Sequence, residues 1–169
     1  MSTQVVIAFG SNLGEREATI VKAVETIAGL DNVDLIRMSS LYESAALKPE
    51  GIDESAPEDV NAVGVFETTL TAIELLAQLA QIELDFGRVR AERWGDRTLD
   101  LDIIWMDGIT SSTEELTLPH PRAHERSFVL IPWLEVVPEA KLNGRAITEL
   151  AQGMHTELRV LSTPTQVVS

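Results

Sequence analysis

The amino-acid sequence predicts an α+β fold: a ferredoxin-like βαββαβ core with a mostly antiparallel sheet, helices packed on it, and a C-terminal extension. Short apolar runs alternate with helical patterns in that order along the chain. The 169 residues are enough for one domain with a hydrophobic core and are marginal for two. Apolar residues make up 44% of the chain and charged residues 24%, ordinary proportions for a globular protein. We therefore expect residues 1–169 to form a single domain.

The first half of the chain supplies three of the four core strands and the first helix. Residues 4–11 form an apolar run that ends in Gly and Ser, which is typical of a buried strand. Apolar residues then recur at helical spacing over residues 14–29, where a glycine gives a stop signal. Residues 33–44 and 61–70 have the pattern of the second and third strands, and the third is rich in β-branched residues.

The second half completes the core and adds the extension. Residues 71–86 predict a strong amphipathic helix that ends at Gly87. Residues 98–108 alternate cleanly and predict the fourth strand, on which Leu99, Leu101, Ile103 and Trp105 form one apolar row. Another strand near residues 115–121, short apolar pieces around 127–137, a small helix over 146–152 and a loose or weak edge segment over 162–169 follow.

Two connections are candidates for lids over a site. Residues 45–60 contain two prolines, a glycine and five acidic residues, and long loops of this kind are usually functional. Residues 87–96 form the second connection, "GRVRAERWGD". Because both connections precede strands of the sheet, we expect them to converge over one site.

The overall charge limits the classes of partner. The formal net charge is -14, so affinity for nucleic acid or for anionic membranes is not expected, since both require clustered basic residues. No apolar run approaches the ~18 residues of a membrane span. The chain has no cysteine and no basic N-terminal region typical of a signal peptide, which favours a cytoplasmic protein. We expect a monomer and leave a homodimer open.

The motif "LDLDIIW" places two carboxylates on one face of a strand. Asp100 and Asp102 alternate with apolar residues, so their side chains lie roughly 7 Å apart on the same face. Two carboxylates this close favour a cation between or beside them, and Mg²⁺ binds one or two carboxylates together with substrate phosphates. The alternative interpretation is an exposed edge strand with solvated acids on its outer face.

The arginines of the preceding loop support the metal interpretation. Arg88, Arg90, Arg93 and Arg97 fall within ten residues of an acidic chain. Guanidinium groups bind phosphate in a bidentate manner, and arginine with Mg²⁺ is the usual combination for a polyphosphate. A solvated basic loop that pairs with surface acids is the alternative.

Three other positions are candidates for a role in the same site. Glu83 falls on the apolar face of the second helix, where a carboxylate requires a partner or a ligand, and an arginine of the next loop is one possible partner. His120 lies between two prolines and either donates to a phosphate or bonds to the backbone of its turn. Phe128 either stacks on a flat ligand or belongs to the core. Residues 10–14 lack the P-loop spacing, so we interpret them as a turn.

Taken together, these motifs resemble those of the 6-hydroxymethyl-7,8-dihydropterin pyrophosphokinase family. The most specific motif is "RWGDRTLDLDI", at residues 93–103. It is supported by "GSNLG", "SSLYES", "IELDFGRVR" and "PHPR…RSFVLIP" in the expected order, and the likeness covers residues 5–138. The resemblance implies transfer of pyrophosphate from ATP to 6-hydroxymethyl-7,8-dihydropterin, with attack on the β-phosphorus and release of AMP, in folate biosynthesis.

The resemblance also implies roles for individual residues. Asp100 and Asp102 would bind two Mg²⁺ ions and, with Arg88 and Arg97, form the catalytic set. The ATP-binding residues that the family pattern implies are Glu83, Arg90, Trp94, Ile103, His120 and Arg126. The pterin-binding residues that it implies are Ser44, Ala45, Leu47, Asn61 and Phe128.

Some positions depart from the family pattern, and two other functions stay open. Asp59 stands where the family usually has an aromatic residue that stacks on the pterin, Ala45 begins a pair that commonly contains proline, and Asp96 replaces a proline. The first alternative function is a nucleotidyltransferase, which would attack the α-phosphorus and release pyrophosphate. The second is a non-catalytic ferredoxin-like module that binds a small ligand.

Overall fold

The computed structural model describes residues 2–11, 16–44, 47–48, 51–52, 59–88, 99–121, 123, 126–142, 144–152 and 159–162. The helices are α1 (Arg16–Ala28), α2 (Ala72–Arg88), α3 (Ser127–Val136) and α4 (Ile147–Gln152). The strands are β1 (Thr3–Ser11), β2 (Val33–Met38), β3 (Leu41–Ser44), β4 (Leu47–Lys48), β5 (Gly51–Ile52), β6 (Asp59–Thr68), β7 (Asp100–Met106), β8 (Ser111–Ser112), β9 (Thr117–Leu118), β10 (Lys141–Leu142), β11 (Arg145–Ala146) and β12 (Arg159–Ser162). Over this part of the chain, none of the helices is long and apolar enough to cross a membrane.

One six-stranded sheet organises the fold. Its order is β12-β3-β6-β1-β7, and β2 pairs with the part of β6 that β3 leaves open. Every pairing in this sheet is antiparallel. The predicted βαββαβ core is confirmed as β1-α1-β2/β3-β6-α2-β7, and three two-stranded ribbons lie outside the sheet.

The predicted second strand is divided in two by a pair of serines. Ser39 and Ser40 interrupt the segment 33–44, and β2 and β3 lie in line along β6. At the interruption, the Ser39 amide donates to the Val63 carbonyl at 2.9 Å, and the Val63 amide donates to the Ser39 hydroxyl at 2.9 Å. A side-chain oxygen therefore replaces a backbone carbonyl at this one point of the ladder, which the pattern of apolar residues does not indicate.

The sheet is covered on both faces, and each face has its own core. Helices α1 and α2 cover the first face, where Ile7 and Phe9 of β1 belong to one buried cluster with residues such as Ile20, Leu75 and Leu79. The C-terminal extension covers the second face with α3. Its core residues include Val6, Val63, Val65, Ile104, Val129, Leu130 and Trp133.

Helix α3 corrects the prediction of short apolar pieces around residues 127–137. Its sequence, SFVLIPWLEV, lacks a polar face because α3 packs between the sheet and α4. Pro132 inside the helix has no N–H to give to the carbonyl of Phe128, which further obscures the helical signal. A helix that is apolar on all sides shows no 3.6-residue period, so hydrophobic periodicity does not reveal it.

Two further details differ from the sequence prediction. Helix α2 continues through Gly87 to Arg88 and does not end at the glycine. The β1–β7 register shifts between Val6 and Ile7, so Ile104 is an extra residue on β7. As a result Trp105 packs against the second core, away from Leu101 and Ile103 of the first core, and the predicted single apolar row is wrong at Trp105.

Gly64 provides a test of the packing between β2 and β6. A Cβ at this position would lie 2.6 Å from Met38 Sδ and 2.8 Å from Phe66 Cε1, and both side chains are fully buried. We expect Gly64→Ala to lower the free energy of unfolding by about 1–3 kcal/mol, because the buried neighbours must shift. Urea denaturation measures this change.

The matched control is Gly87→Ala in α2, where an added Cβ meets nothing within 4 Å. This variant should be neutral or up to about 1 kcal/mol more stable, since alanine is the better helix former. Equal stability of the two variants would contradict the packing described for Gly64.

Candidate active site

Three polar residues, each from a different strand, lie in one row across the sheet together with a glycine of β1. Gly10 of β1 pairs with Asn61 of β6 on one side and with Asp100 of β7 on the other. Tyr42 of β3 extends the row beyond Asn61. Directly paired residues of an antiparallel sheet direct their side chains to the same face, so the four positions share one face of the sheet.

The next row on this face contains the second aspartate. Ala8 pairs with Asp102 and with Val63, and it lies two residues from Gly10 on the same strand. Asp100 and Asp102 therefore share a face of β7, as their spacing predicts. Asp100 is exposed and Asp102 is half-buried, so solvent and ligands reach both carboxylates.

Because Gly10 has no side chain, the surface of the sheet between Asn61 and Asp100 is open. A Cβ built on Gly10 would lie 3.2 Å from Asn61 Oδ1 and 3.9 Å from Asp100 Cβ. Gly10 and Ser11 belong to β1, as the strand predicted over residues 4–11 requires, while residues 12–14 of the predicted turn lie outside the described residues. The available signal was the pair of small residues, Ala8 and Gly10, two positions apart in an otherwise apolar strand.

Glu83 attaches helix α2 to the strand of the aspartates. Its Oε2 atom accepts a hydrogen bond of 2.7 Å from the backbone amide of Leu101, the residue between Asp100 and Asp102. Within the described part of the sheet, β7 is the last strand on this side, and its Leu101 amide donates to Glu83 of α2. The carboxylate on the apolar side of α2 is thus explained by a backbone partner at the site.

His120 lies in a turn that is fixed to β7 through its backbone. The His120 amide donates to the Ile104 carbonyl at 2.8 Å, and the His120 carbonyl accepts from the Ala123 amide at 3.2 Å. The imidazole is half-buried. These bonds involve the backbone of His120, so the role of its imidazole stays a prediction, and the partner on β7 lies two residues along the strand from Asp102.

Arg126 and Phe128 form a pair at the start of α3. The guanidinium carbon of Arg126 lies 5.7 Å from the centroid of the Phe128 ring, within the range of a cation–π contact. Both side chains are half-buried, and Phe128 also packs against the second core. The family pattern assigns the two residues to different ligands, whereas the structure brings them into contact.

The remaining predicted residues divide into three groups. The Ile103 side chain is buried in the first core, on the face opposite Asp102, so only its backbone borders the site. Arg90, Arg93, Trp94, Arg97 and Ala45 lie outside the described residues, as does Asp96. Arg88, Ser44, Leu47 and Asp59 are described through their backbones only, in α2, β3, β4 and β6.

Both candidate lids are attached at the end of the sheet that carries this site. The first returns to the sheet at Asp59 and Val60, and Val60 pairs with Ser11 next to Gly10. The second joins the end of α2 to Leu99, immediately before Asp100. The first connection also contains the small β4–β5 hairpin.

The donor set at this end of the sheet suits a magnesium ion that is shared with phosphate. Among the described residues, no group of three or more His, Asp or Glu side chains could hold a metal ion by itself. A metal ion bound by two carboxylates beside the open surface at Gly10 keeps coordination positions for water and phosphate oxygens. Mg²⁺ is usually bound in this way. Asp100 and Asp102 therefore fit this role.

Comparisons with known proteins show the family of this chain. Residues 6–138 match the family model described as 7,8-dihydro-6-hydroxymethylpterin-pyrophosphokinase (HPPK). The chain is 42% identical over 147 residues to the 2-amino-4-hydroxy-6-hydroxymethyldihydropteridine pyrophosphokinase of Haemophilus influenzae, covering 86% of this chain and 89% of that one. It is 38% identical to the protein of the same name from Bacillus subtilis, covering 83% and 82%.

Solved structures show the same fold. A triple mutant of Plasmodium falciparum HPPK-DHPS superimposes with a TM-score of 0.69 at 14% identity and covers 89% of this chain. The A437G variant of the same protein gives a TM-score of 0.67 at 15% identity. The chain spans only 41% and 45% of these two longer proteins.

Glu83 can be tested without reference to any ligand. We expect Glu83→Ala to be less stable than Glu83→Gln by about 1 kcal/mol, because only glutamine keeps an oxygen that accepts from the Leu101 amide. The comparison of two uncharged variants removes the effect of the lost charge beside Asp100 and Asp102. Urea denaturation at one pH provides the measurement, and identical midpoints would show that the hydrogen bond does not contribute to stability.

Proposed function

We infer the activity of this chain from the family to which it belongs, that of the 7,8-dihydro-6-hydroxymethylpterin-pyrophosphokinases. It is an ATP-dependent diphosphotransferase that transfers pyrophosphate from ATP to 6-hydroxymethyl-7,8-dihydropterin in folate biosynthesis. The observation that carries this conclusion is the family match over residues 6–138, a range that includes every polar residue of the site described above. Neither the nucleotidyltransferase nor the non-catalytic module finds support.

The reaction balances as a single displacement. The hydroxymethyl oxygen of the pterin forms a bond to the β-phosphorus of ATP, and the bond from that phosphorus to the oxygen bridging to the α-phosphate breaks. AMP leaves with that oxygen, and the hydroxyl proton passes to solvent. Such a reaction depends mainly on positioning and on neutralising the phosphate charge, so the chain needs no strong general base.

We propose that Asp100 and Asp102 bind two Mg²⁺ ions, for which their shared face and accessible carboxylates provide the support. The bound ions supply positive charge to the oxygens of the triphosphate. Glu83 holds the amide between the two aspartates, which fixes their spacing along β7. Gly10 leaves room for the phosphate chain between Asp100 and Asn61, its two neighbours in the row.

We propose that Arg88 and Arg97 stabilise the transferring group and that Arg90 and Trp94 close over the nucleotide. Support comes from the attachment of this loop, because α2 ends at Arg88 and the segment rejoins the sheet immediately before Asp100.

Further ATP contacts are proposed on the elements around β7. The residues are Glu83, Ile103, His120 and Arg126. Ile103 is limited to its backbone because its side chain is buried. His120 is supported by the hydrogen bond that joins its turn to β7.

We propose that the pterin lies on the Asn61 side of the row. Asn61 is 8% exposed and offers both a donor and an acceptor, which suits the polar edge of a pterin. Phe128 provides an aromatic face at the start of α3. The backbones of Ser44, Ala45 and Leu47 would bind the same ring, and Ser44 pairs with Asp59, two residues before Asn61.

The chain as a whole is proposed to be one pyrophosphokinase domain over residues 1–169. Its mostly antiparallel sheet and two cores account for nearly all described elements. A cytoplasmic location and a monomeric state are also proposals, and the absence of cysteine supports the first.

The product identifies the reaction, and Asp102 identifies the site. Incubation with ATP, Mg²⁺ and the reduced pterin alcohol should give AMP and no free pyrophosphate, detected by chromatography.

We expect Asp102→Ala to abolish AMP formation, because the metal site loses a ligand. The control is Asp107→Ala, an exposed acid just beyond β7, which should keep wild-type turnover. Near-normal rates for Asp102→Ala at saturating Mg²⁺ would exclude the assignment, and free pyrophosphate would favour a nucleotidyltransferase.

Arg97 tests the role of the arginine loop. We expect Arg97→Ala to lower kcat by on the order of 10²-fold, as for other groups that stabilise charge in the transition state. Arg145→Ala, which removes an exposed arginine of β11, serves as the charge-matched control and should leave kcat unchanged. A change in KM alone would mean that Arg97 binds ground state and transition state equally.

A further inference from the structure

Glu135 connects helix α3 to the strands of the proposed pterin side. Its Oε1 atom accepts from the Ser40 amide at 2.8 Å and from the Tyr42 hydroxyl at 2.8 Å. Its Oε2 atom accepts from the Ser40 hydroxyl at 2.6 Å. One carboxylate near the end of α3 thus receives three donors from β3 and the residue preceding it, and we call this set the Glu135 latch.

Tyr42 is a permanent donor in the latch. Its side chain is 9% exposed, and burial, followed by the hydrogen bond and charge of Glu135, raises the pKa of the Tyr42 hydroxyl well above its ordinary value. The hydroxyl therefore stays protonated across the physiological range. Ser40 adds a backbone donor, which no side-chain substitution removes.

A second contact holds the same end of the helix. Arg37 Nη1 of β2 donates to the carbonyl of Val136, the last residue of α3, at 3.0 Å. A cation at a helix C-terminus also interacts favourably with the helix dipole. The C-terminal end of α3 is thus bonded to both β2 and β3, while Arg126 and Phe128 lie at its other end.

The latch lies beside the proposed pterin site. Tyr42 is the direct cross-strand neighbour of Asn61, and it precedes Ser44 by two residues on β3. Phe128 and Glu135 lie seven residues apart on α3, about 10 Å along the helix axis. Three of the groups proposed to bind the pterin, Ser44, Asn61 and Phe128, belong to β3, β6 and α3, and the latch joins β3 to α3.

The apolar contacts of α3 fix its position along the helix axis less strictly than the hydrogen bonds of the Glu135 latch do. Leu130 and Trp133 pack against Val63 and Ile104, and such burial is non-directional, so it tolerates small shifts along the helix axis. Hydrogen bonds to a charged acceptor are short and directional, and they select one arrangement. A shift of α3 would carry Phe128 with it.

We propose that Glu135 and Tyr42 are positioning residues for the pterin, which hold α3 so that Phe128 keeps a fixed distance from Asn61. The proposal rests on the proposed function and on Phe128 as the stacking residue. It assigns to two residues without substrate contact an effect that is larger for the pterin than for ATP. A purely structural latch would instead affect the folded fraction and both substrates alike.

The test compares Tyr42→Phe and Glu135→Gln with the wild-type chain in the AMP assay. We expect the KM for the pterin to rise about tenfold, as for the loss of one hydrogen bond to a charged group that solvent also reaches. The KM for ATP should rise by a smaller factor, because Arg126 is the one proposed nucleotide contact that adjoins α3, while the others lie on β7 and α2, in the loop after α2 and in the turn of His120. Calorimetric titration with the pterin and a non-hydrolysable ATP analogue should show the same loss of about tenfold.

The matched control is Thr68→Val, which removes a buried hydroxyl at the opposite end of β6. Thr68 donates to the Asn32 carbonyl at 2.8 Å and is 1% exposed, so its loss costs stability far from the site. It should lower the melting temperature without changing either KM. If Glu135→Gln fails to fold, Ser40→Ala removes one donor of the latch and should raise the pterin KM by a smaller factor.

Three outcomes would overturn the inference. An unchanged KM for the pterin in Tyr42→Phe and Glu135→Gln would mean that the latch only stabilises the fold. An equal rise of the KM for the pterin and the KM for ATP would mean that the substitutions distort the whole site. A fall in kcat alone, in proportion to the folded fraction, would also mean that the latch only stabilises the fold. In each case an active wild type leaves the proposed function intact, whereas a wild-type chain that forms no AMP refutes the function and the inference together.

Discussion

The register of the central strand β1 is the constraint on which the site depends. Gly10 faces Asn61 on one side and Asp100 on the other, so one strand places residues from distant parts of the chain within one row. A shift of one residue in an antiparallel pairing turns every side chain to the opposite face. Such a shift would bury the aspartates among the apolar residues of α1 and α2. The hydrophobic alternation of β1 therefore fixes the register on which the site depends, because Ile7 and Phe9 fill the first core only in this register.

The charge distribution explains how an acidic chain binds a triphosphate. With a net charge of -14, the protein as a whole repels ATP, and attraction must come from local cations. In the proposed function, the two aspartates contribute through the Mg²⁺ that they would hold, and four of the 13 basic residues follow one another between 88 and 97. The proposal thus assigns the attraction for the triphosphate to the metal and to the arginines that precede β7 in the sequence. This arrangement concentrates the attraction at the site and leaves the remaining surface unfavourable to other polyanions.

Much of the core could be predicted because its elements carry strong local patterns. β1, α1, α2, β6 and β7 agree with their predicted ranges to within two residues, and the shared face of Asp100 and Asp102 follows from alternation alone. The misses have physical reasons. Helix α3 is apolar on all sides, the Ser39–Ser40 interruption depends on one hydroxyl, and the position of Trp105 depends on an irregular register. The role of Gly10 exists only between two distant strands, so no local pattern distinguishes it from a turn glycine.

The irregularity in β7 has a consequence for how this segment tolerates change in length. The extra residue Ile104 lets β7 place both Ile104 and Trp105 in the second core, while Asp102 stays beside Ala8 in the row next to Gly10. Substitution of either apolar residue alters only volume at one place. Loss of Ile104 would instead remove the bulge and restore regular alternation, with Trp105 still opposite Val6 and still on the side of α3. Loss of one residue at a regular position of β7, such as Leu101, would reverse the facing of the residues on one side of it. This segment should therefore tolerate the loss of Ile104, at the cost of one side chain of the second core, better than the loss of a residue from the regular part of β7.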